Sequence, residues 1–376
     1  MASTAHIALN AHLLAGEASY RSAGIHGYLY NMLAHLPAAD SDLRYSVFLG
    51  QGALPENSQW RVYRTMLPTA RPQVRIFWEQ AVAPLAFARV RPDLVHGMGF
   101  VNPLLWPGPA VVTIFDLSFI RYPERLSLSR RAYLQTLTRF SARRARRVIA
   151  ISESGKREIV ELLGIPPERI DVALPGVNPD FRPLPREAVE AFRQEAGLPG
   201  RFILHVGTLE PRKNLEMLLE AYARLPQRGD VKLILAGGKG WQTAGFFRTL
   251  ERLGLGRDVI LPGYVPSERL PYWYNAAEVF VYPSVYEGFG MPLAEALACG
   301  VVAIGSDTSS LPEAVGPGGL LLPADDPQAW AETLTRLLDS AALRDEIAHR
   351  GYDYVQRLSW ETTARQTVRA YRRALE

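Results

Sequence analysis

The chain has 376 residues, 48% hydrophobic and 21% charged, a globular composition too long for one ordinary core and suited to two. No stretch is apolar over the length needed to span a bilayer, and Met1-Ala2-Ser3-Thr4-Ala5-His6 lacks the regions of a secretory signal. The single cysteine, Cys299, excludes a disulfide framework and a cysteine-built metal site, so a cytoplasmic setting is expected.

Short apolar runs predict strands at Ile7–Leu9, Tyr45–Leu49, Leu94–His96, Val111–Ile114, Val148–Ile151 and Asp171–Leu174. Helices lie between them, one from about Gly27 to Leu36 and one from about Ser152 to Leu163, with Ser152 as N-cap. The net charge of +4 is uneven: residues 1–180 hold 20 Lys and Arg against 14 Asp and Glu, a net +6, and the remainder nets −2. The excess gathers from Arg121 to Arg147, interleaved with Leu134, Leu137 and Phe140. That run reads either as a solvated helix face or as a surface for anionic lipid or a phosphorylated acceptor. No recognised module accompanies it, so nucleic acid is not an expected partner.

Pro179, Pro183, Pro185 and Pro199 mark residues 179–200 as a linker containing a short helix. The strand pattern then restarts at Phe202–Val206, Val231–Ala236, Val259–Leu261, Val279–Tyr282, Val301–Ile304 and Gly319–Leu322. Strands alternating with helices argue for an α/β protein with two Rossmann-like, doubly wound domains, residues 1–178 and 201–359, facing each other across a cleft. Residues 360–376 read as a final helix.

Two segments carry chemistry. In Tyr286-Glu287-Gly288-Phe289-Gly290-Met291-Pro292-Leu293-Ala294-Glu295 a buried strand stops, a glycine-rich turn follows, and a helix opens near Gly290. Turn amides and a helix start make a seat for an anion such as phosphate. Glu287 on the turn and Glu295 in the helix would repel that anion, so sugar hydroxyls are their natural partners. In His205-Val206-Gly207-Thr208-Leu209-Glu210-Pro211-Arg212-Lys213-Asn214-Leu215, Gly207 permits close backbone approach and Arg212 and Lys213 stand at a helix opening. Negative charge grows on a nucleoside diphosphate as its bond to a sugar breaks, and paired cations meet it. The pair Asp325-Asp326 lies in a turn far from both segments, and no metal site is expected.

The glutamate spacing, with Phe289, Met291 and Pro292, resembles the signature of retaining glycosyltransferases of family 4, and G-T-L-E-P-R-K-N resembles that family's phosphate loop in its mannosyltransferase-like branch. The resemblance covers nearly the whole chain. It implies a GT-B fold whose terminal helix crosses back to the first domain. It also implies transfer of a sugar, with retention, from a GDP- or UDP-linked donor to a glycan, lipid-linked or small-molecule acceptor, with no cofactor. Glu287 would position the donor sugar, Glu295 would hold the ribose, and Arg212 and Lys213 would stabilise the leaving group. Thr208 stands where some relatives carry an arginine. Tyr264, Val265 and Leu270 would line the nucleobase pocket, and Gly24 would belong to a glycine-rich loop over the phosphates. Arg75-Ile76-Phe77-Trp78-Glu79-Gln80 and the segment around His96 resemble acceptor-side segments, with Asp116 a further acceptor-side residue; Trp78 itself reads as core. Phe115 replaces the histidine that relatives usually carry beside the donor's primary hydroxyl, which suggests a donor sugar lacking that group or turned differently. A nucleotide-sugar 2-epimerase and a non-catalytic nucleotide-sugar-binding subunit share the same architecture.

Overall fold

In a computed structural model, residues 4–14, 23–50, 52–54, 60–125, 128–226 and 228–376 are described. The chain divides into two units, Met1–Gly176 with Ser359–Glu376, and Val177–Leu358.

The first unit holds seven strands: β1 (Ala5–Asn10), β2 (Leu43–Leu49), β3 (Trp60–Arg64), β4 (Leu94–Gly97), β5 (Ala110–Ile114), β6 (Arg147–Ala150) and β7 (Ile170–Val172). Their order is β3-β2-β1-β4-β5-β6-β7 and every pairing is parallel. All five residues of β5 are buried, because helices cover both faces; such strands read as unbroken apolar runs. Strand order reverses between β1 and β4, so a crevice opens at their carboxyl ends, the usual seat of ligands in such sheets. β3 carries no predicted run. It is an edge strand, Trp-Arg-Val-Tyr-Arg, with mostly exposed positions.

Two predicted helices form with shifted ends. The first spans Ala23–Ala39. The second spans Glu153–Glu158 and continues as a π turn, Ile159–Leu163; Ser152 caps it by accepting from Gly155 N–H at 2.9 Å.

The terminal helix, Trp360–Leu375, belongs to the first unit. Its Tyr371 hydroxyl lies 2.7 Å from Nδ1 of His96, Arg372 reaches Asp40 at 2.6 Å, and Thr363 donates to the Leu174 carbonyl at 2.6 Å.

The second unit holds β8 (Phe202–Val206), β9 (Lys232–Ala236), β10 (Val259–Gly263), β11 (Val279–Tyr282), β12 (Ala303–Ser306) and β13 (Leu320–Leu322), ordered β10-β9-β8-β11-β12-β13 and all parallel. Its switch point lies between β8 and β11. The core gathers Leu218, Tyr222, Leu233, Val281 and Trp330, all fully buried. The supposed linker is instead packed into this unit. Helix Arg186–Glu195 sets Phe192 against Tyr272 and Trp273, and Arg193 donates to the Ala276 carbonyl at 2.6 Å. Pro185 directly precedes that helix, the short one expected within the linker.

Candidate active site

Both charged segments leave the carboxyl ends of the strands flanking the switch point of the second unit. After β8, the chain runs through Gly207 to a single 3-10 turn, Pro211–Lys213. Gly237, which follows β9, sits at φ 157° against the Gly207 carbonyl, and a Cβ there would overlap that oxygen. Only glycine lets these two strand ends pinch together. After β11 the turn is pinned by two serines: Glu287 N–H donates to Ser309 at 3.0 Å, and Ser310 donates to the Glu287 carbonyl at 2.9 Å. Gly290, at φ 109°, then opens helix Met291–Ala298. A Cβ at Gly290 would lie 2.7 Å from Leu311.

The turns bring the predicted charges together. Arg212 Nη1 and Lys213 Nζ reach the two oxygens of Glu287, each at 2.6 Å. Lys213, only 6% exposed, also donates to the Tyr282 hydroxyl at 2.5 Å and sits 4.6 Å above that ring. Arg212 forks onto Glu210 at 2.7 and 3.0 Å, and Trp241 Nε1 donates to the other oxygen of Glu210 at 3.0 Å. Two cations are thus balanced by two carboxylates in a mostly buried cluster. Burial by itself would raise the carboxyl of Glu287, but Arg212 and Lys213 overcome it and hold the group at about 2. Burial outweighs Glu287 at Lys213 and lowers the ammonium. His205 stacks on Tyr282 at 5.5 Å, with Nδ1 3.1 Å from the Val281 carbonyl; burial, then Lys213, pushes it down to about 3, so it is neutral.

Glu295 is separate from this knot. The Tyr274 hydroxyl donates to it at 2.9 Å. Protein closes around it and raises its carboxyl to about 7, with the Tyr274 bond opposing. Phe289 and Leu293 are buried and fix the turn, whereas Gly288, Met291 and Pro292 are partly exposed. Thr208 is partly exposed beside Gly240. Tyr264 is exposed, Val265 is buried, and Leu270 is half-buried after Gly263, which sits at φ 83°. Sequence reasoning had not singled out Glu210, Trp241, Tyr274, Tyr282 or the serine pair. Asp326 accepts from Gln328 and Ala329 N–H at 3.0 Å, capping a helix. Among the described residues no cluster of three His, Cys, Asp or Glu is placed to hold a metal.

In the first unit one acceptor-side expectation is corrected. His96 is 1% exposed and uses both ring nitrogens, 2.7 Å from Tyr371 and 2.8 Å from Thr113, so it ties the terminal helix to the sheet. Phe115 is buried edge-on to Tyr28 and Phe100, an aromatic core contact. Asp116 is half-buried and accepts from Ser118 N–H at 2.9 Å, closing a local turn. Gly24 lies in the first turn of its helix with open space around it; the loop before it lies outside the described residues. Much of the arginine run is used internally. Arg121 meets Glu158 and Glu161, Arg147 meets Asp171, and Arg139, Arg144 and Arg146 donate to the carbonyls of Leu162, Trp106 and Ala374. Phe140 is half exposed on the same helix, Leu128–Arg144.

Two parallel-sheet α/β units, one with paired cations at its switch point, have the GT-B architecture. The descriptions "Glycosyltransferase Family 4" and "Glycosyl transferases group 1" match residues 23–181 and 189–354. O-antigen chain mannosyltransferase B of Escherichia coli is 33% identical over 77% of this chain and 82% of its own length. The serotype-specific mannosyltransferase WbdA of the same organism is 28% identical over 79% of this chain and 39% of its own. Sucrose-phosphate synthase from Thermosynechococcus elongatus superposes with a TM-score of 0.77 at 22% identity, covering 98% of each chain. WaaG, a glycosyltransferase involved in lipopolysaccharide biosynthesis, superposes at 0.73 with 17% identity, covering 96% and 98%. This chain therefore belongs to the group 1, family 4 glycosyltransferases.

Proposed function

We propose that the enzyme is a retaining, metal-independent hexosyltransferase that moves a mannose-like sugar from a GDP-linked donor, with a UDP-linked donor as second choice, to a glycan, lipid-linked or small-molecule hydroxyl. The observation that carries this reading is the convergence of Arg212 and Lys213 on Glu287 at 2.6 Å each, at the carboxyl ends of β8 and β11. The pair is a poised anion site whose own carboxylate stands in for the ligand. The names of the mannosyltransferase relatives support the choice of sugar and a place in glycan synthesis.

On this reading a pyrophosphate takes the cations and Glu287 turns to the sugar hydroxyls. The anomeric C–O bond to phosphate breaks, a new C–O bond forms on the same face, and the leaving phosphate takes the acceptor proton. Charge growing on that phosphate is met by Arg212 and Lys213 in a dry pocket. Glu295, its carboxyl raised to about 7 by burial, serves the nucleotide ribose. No described helix is long and apolar enough to cross a membrane; the reading places the enzyme in the cytoplasm, touching anionic lipid through the Arg121 to Arg147 run, where Phe140 and Arg143 are exposed. A thermal-shift panel of nucleotide sugars tests the donor, since ligand binding raises apparent stability. Stabilisation by none of the GDP- or UDP-linked sugars would overturn it. The anomeric configuration of the product, read by NMR, tests retention.

A further inference from the structure

Beside Lys213 lies a histidine that the transfer chemistry leaves idle. His205, next to last in β8, is fully buried. Its ring stacks on Tyr282, with centroids 5.5 Å apart and planes at 19°. Nδ1 lies 3.1 Å from the Val281 carbonyl, which can only accept, so Nδ1 carries a proton and donates it. Burial, then Lys213, keeps the ring neutral, so Nε2 is a bare acceptor. It is buried with no hydrogen-bond partner. Folded proteins leave few such atoms, and each calls for a cause. A Cβ on Gly207 would lie 3.0 Å from this nitrogen and 3.4 Å from Lys213 Cε, so the two flank one point under the loop.

The lysine supplies a reason for that lone pair. Lys213 Nζ carries three N–H donors, and two of them meet the Tyr282 hydroxyl and Glu287 Oε1. On the donor reading Glu287 turns to the sugar, and one of these donors loses its acceptor. Leaving a buried charged donor unmatched costs more than the bond itself. A neutral imidazole suits the vacancy. A carboxylate there would compete with the diphosphate for both cations, and an imidazolium would repel them. We propose that His205 is a positioning residue for the leaving group, whose Nε2 accepts an N–H of Lys213 as Glu287 departs and so holds the ammonium against the diphosphate. No proton changes hands, and Lys213 keeps its charge. The proposal rests on the donor reading and adds to it a group that touches neither sugar nor phosphate.

The test uses the full-length chain with isotope-labelled histidine, read by nitrogen NMR, and the nucleotides GDP and UDP. Thermal shifts show which nucleotide binds; a shift with neither would strike the donor reading and this proposal with it. At saturation with the one that binds, the His205 Nε2 resonance, assigned by its loss in either variant below, should move upfield, as a bare imidazole nitrogen does on accepting a hydrogen bond. An unmoved resonance beside bound nucleotide would overturn the proposal and leave the donor reading intact. Two variants separate the acceptor from the ring. His205→Phe keeps an aromatic face for Tyr282 but no acceptor; His205→Gln loses the ring but sets an amide oxygen near the place of Nε2. Release of nucleotide from GDP-mannose or UDP-glucose, with water as acceptor, should fall about tenfold or more in kcat in the Phe variant, the loss of one hydrogen bond to a charged group, with donor KM little changed. The Gln variant should keep more of the rate, whereas a residue that only packed would give the reverse order. Lys213 faces Glu287, Arg212, Glu210, Tyr282 and His205 and loses its charge as pH rises, so the alkaline limb of kcat should lie at lower pH in the Phe variant, where an acceptor favouring the ammonium is gone, and stay in place in the Gln variant. Turnover in the Phe variant equal to or above that of the Gln variant, with an unmoved limb, would overturn the proposal. If either variant fails to fold, the parent's resonance decides alone.

Discussion

Glu287→Ala removes the carboxylate that neutralises two buried cations. Lys213 would keep only the Tyr282 hydroxyl, and Arg212 only Glu210 and the Tyr286 carbonyl. Breaking a buried pair on one side costs about 3–5 kcal/mol. Proton affinity leads to a similar figure: holding Glu287 at about 2 instead of 4.5 is worth about 3 kcal/mol, at ~1.4 for each tenfold. The sign follows from the lowered value. The contribution is full above about pH 4.5 and is lost as pH falls towards 2. The net worth of the pair is smaller than the cost of breaking it, because burial penalises Lys213. For a unit of this size, roughly 2–4 °C per kcal/mol predicts a melting point lower by about 10 °C at neutral pH. A nucleoside diphosphate would supply the missing negative charge. GDP should therefore stabilise the variant more than the parent, even though sugar transfer falls. Differential scanning fluorimetry with and without GDP reads both effects. A variant melting within about 2 °C of the parent, or one that GDP stabilises no more than the parent, would refute the reasoning.

Replacing both Arg212 and Lys213 by alanine should cut turnover by a factor on the order of 10² or more if they meet charge in the transition state; steady-state kinetics at saturating donor would show it, and parental kcat would contradict it. Glu295 has a raised carboxyl, so the stability it contributes is present below about pH 4.5 and lost as pH rises through about 7; Glu295→Gln should flatten that part of the melting profile and weaken nucleotide binding. Turnover of 6-deoxy or pentose donors in preference to mannose and glucose donors would support the sequence expectation drawn from Phe115, and the reverse preference would reject it. Phe140→Glu should lower co-sedimentation with vesicles rich in anionic lipid, if the half-exposed ring on the helix that carries Arg143 rests on such a surface.

All twelve predicted runs became strands; the central ones, such as β5, were legible because strands covered on both faces are apolar throughout, and the edge strands β10 and β13 were legible by their apolar residues although they are partly exposed. β3 was not, since an edge strand needs no continuous apolar face. Arg212, Lys213 and Glu287 were legible as residues, but their pairing was not. It joins positions 74 apart, and only the adjacency of β8 and β11 brings them within 2.6 Å. Histidines misled in both directions. His96 follows an apolar run and looks like a cleft residue, yet Thr113 and Tyr371 occupy it; Tyr371 lies 275 positions away. His205 opens its segment without a role of its own, and its unpaired nitrogen shows only once Val281 and Tyr282 are folded beside it.

The second unit starts and stops at one place: Val177 N–H donates to the Leu358 carbonyl at 2.9 Å. It is spliced into the first unit as a cassette with its two ends stitched together, between Gly176 and Ser359. Such a cassette can be cut out, or exchanged for that of another family member, at a single seam without opening either sheet. On the proposed reading, nucleotide preference would then travel with the cassette.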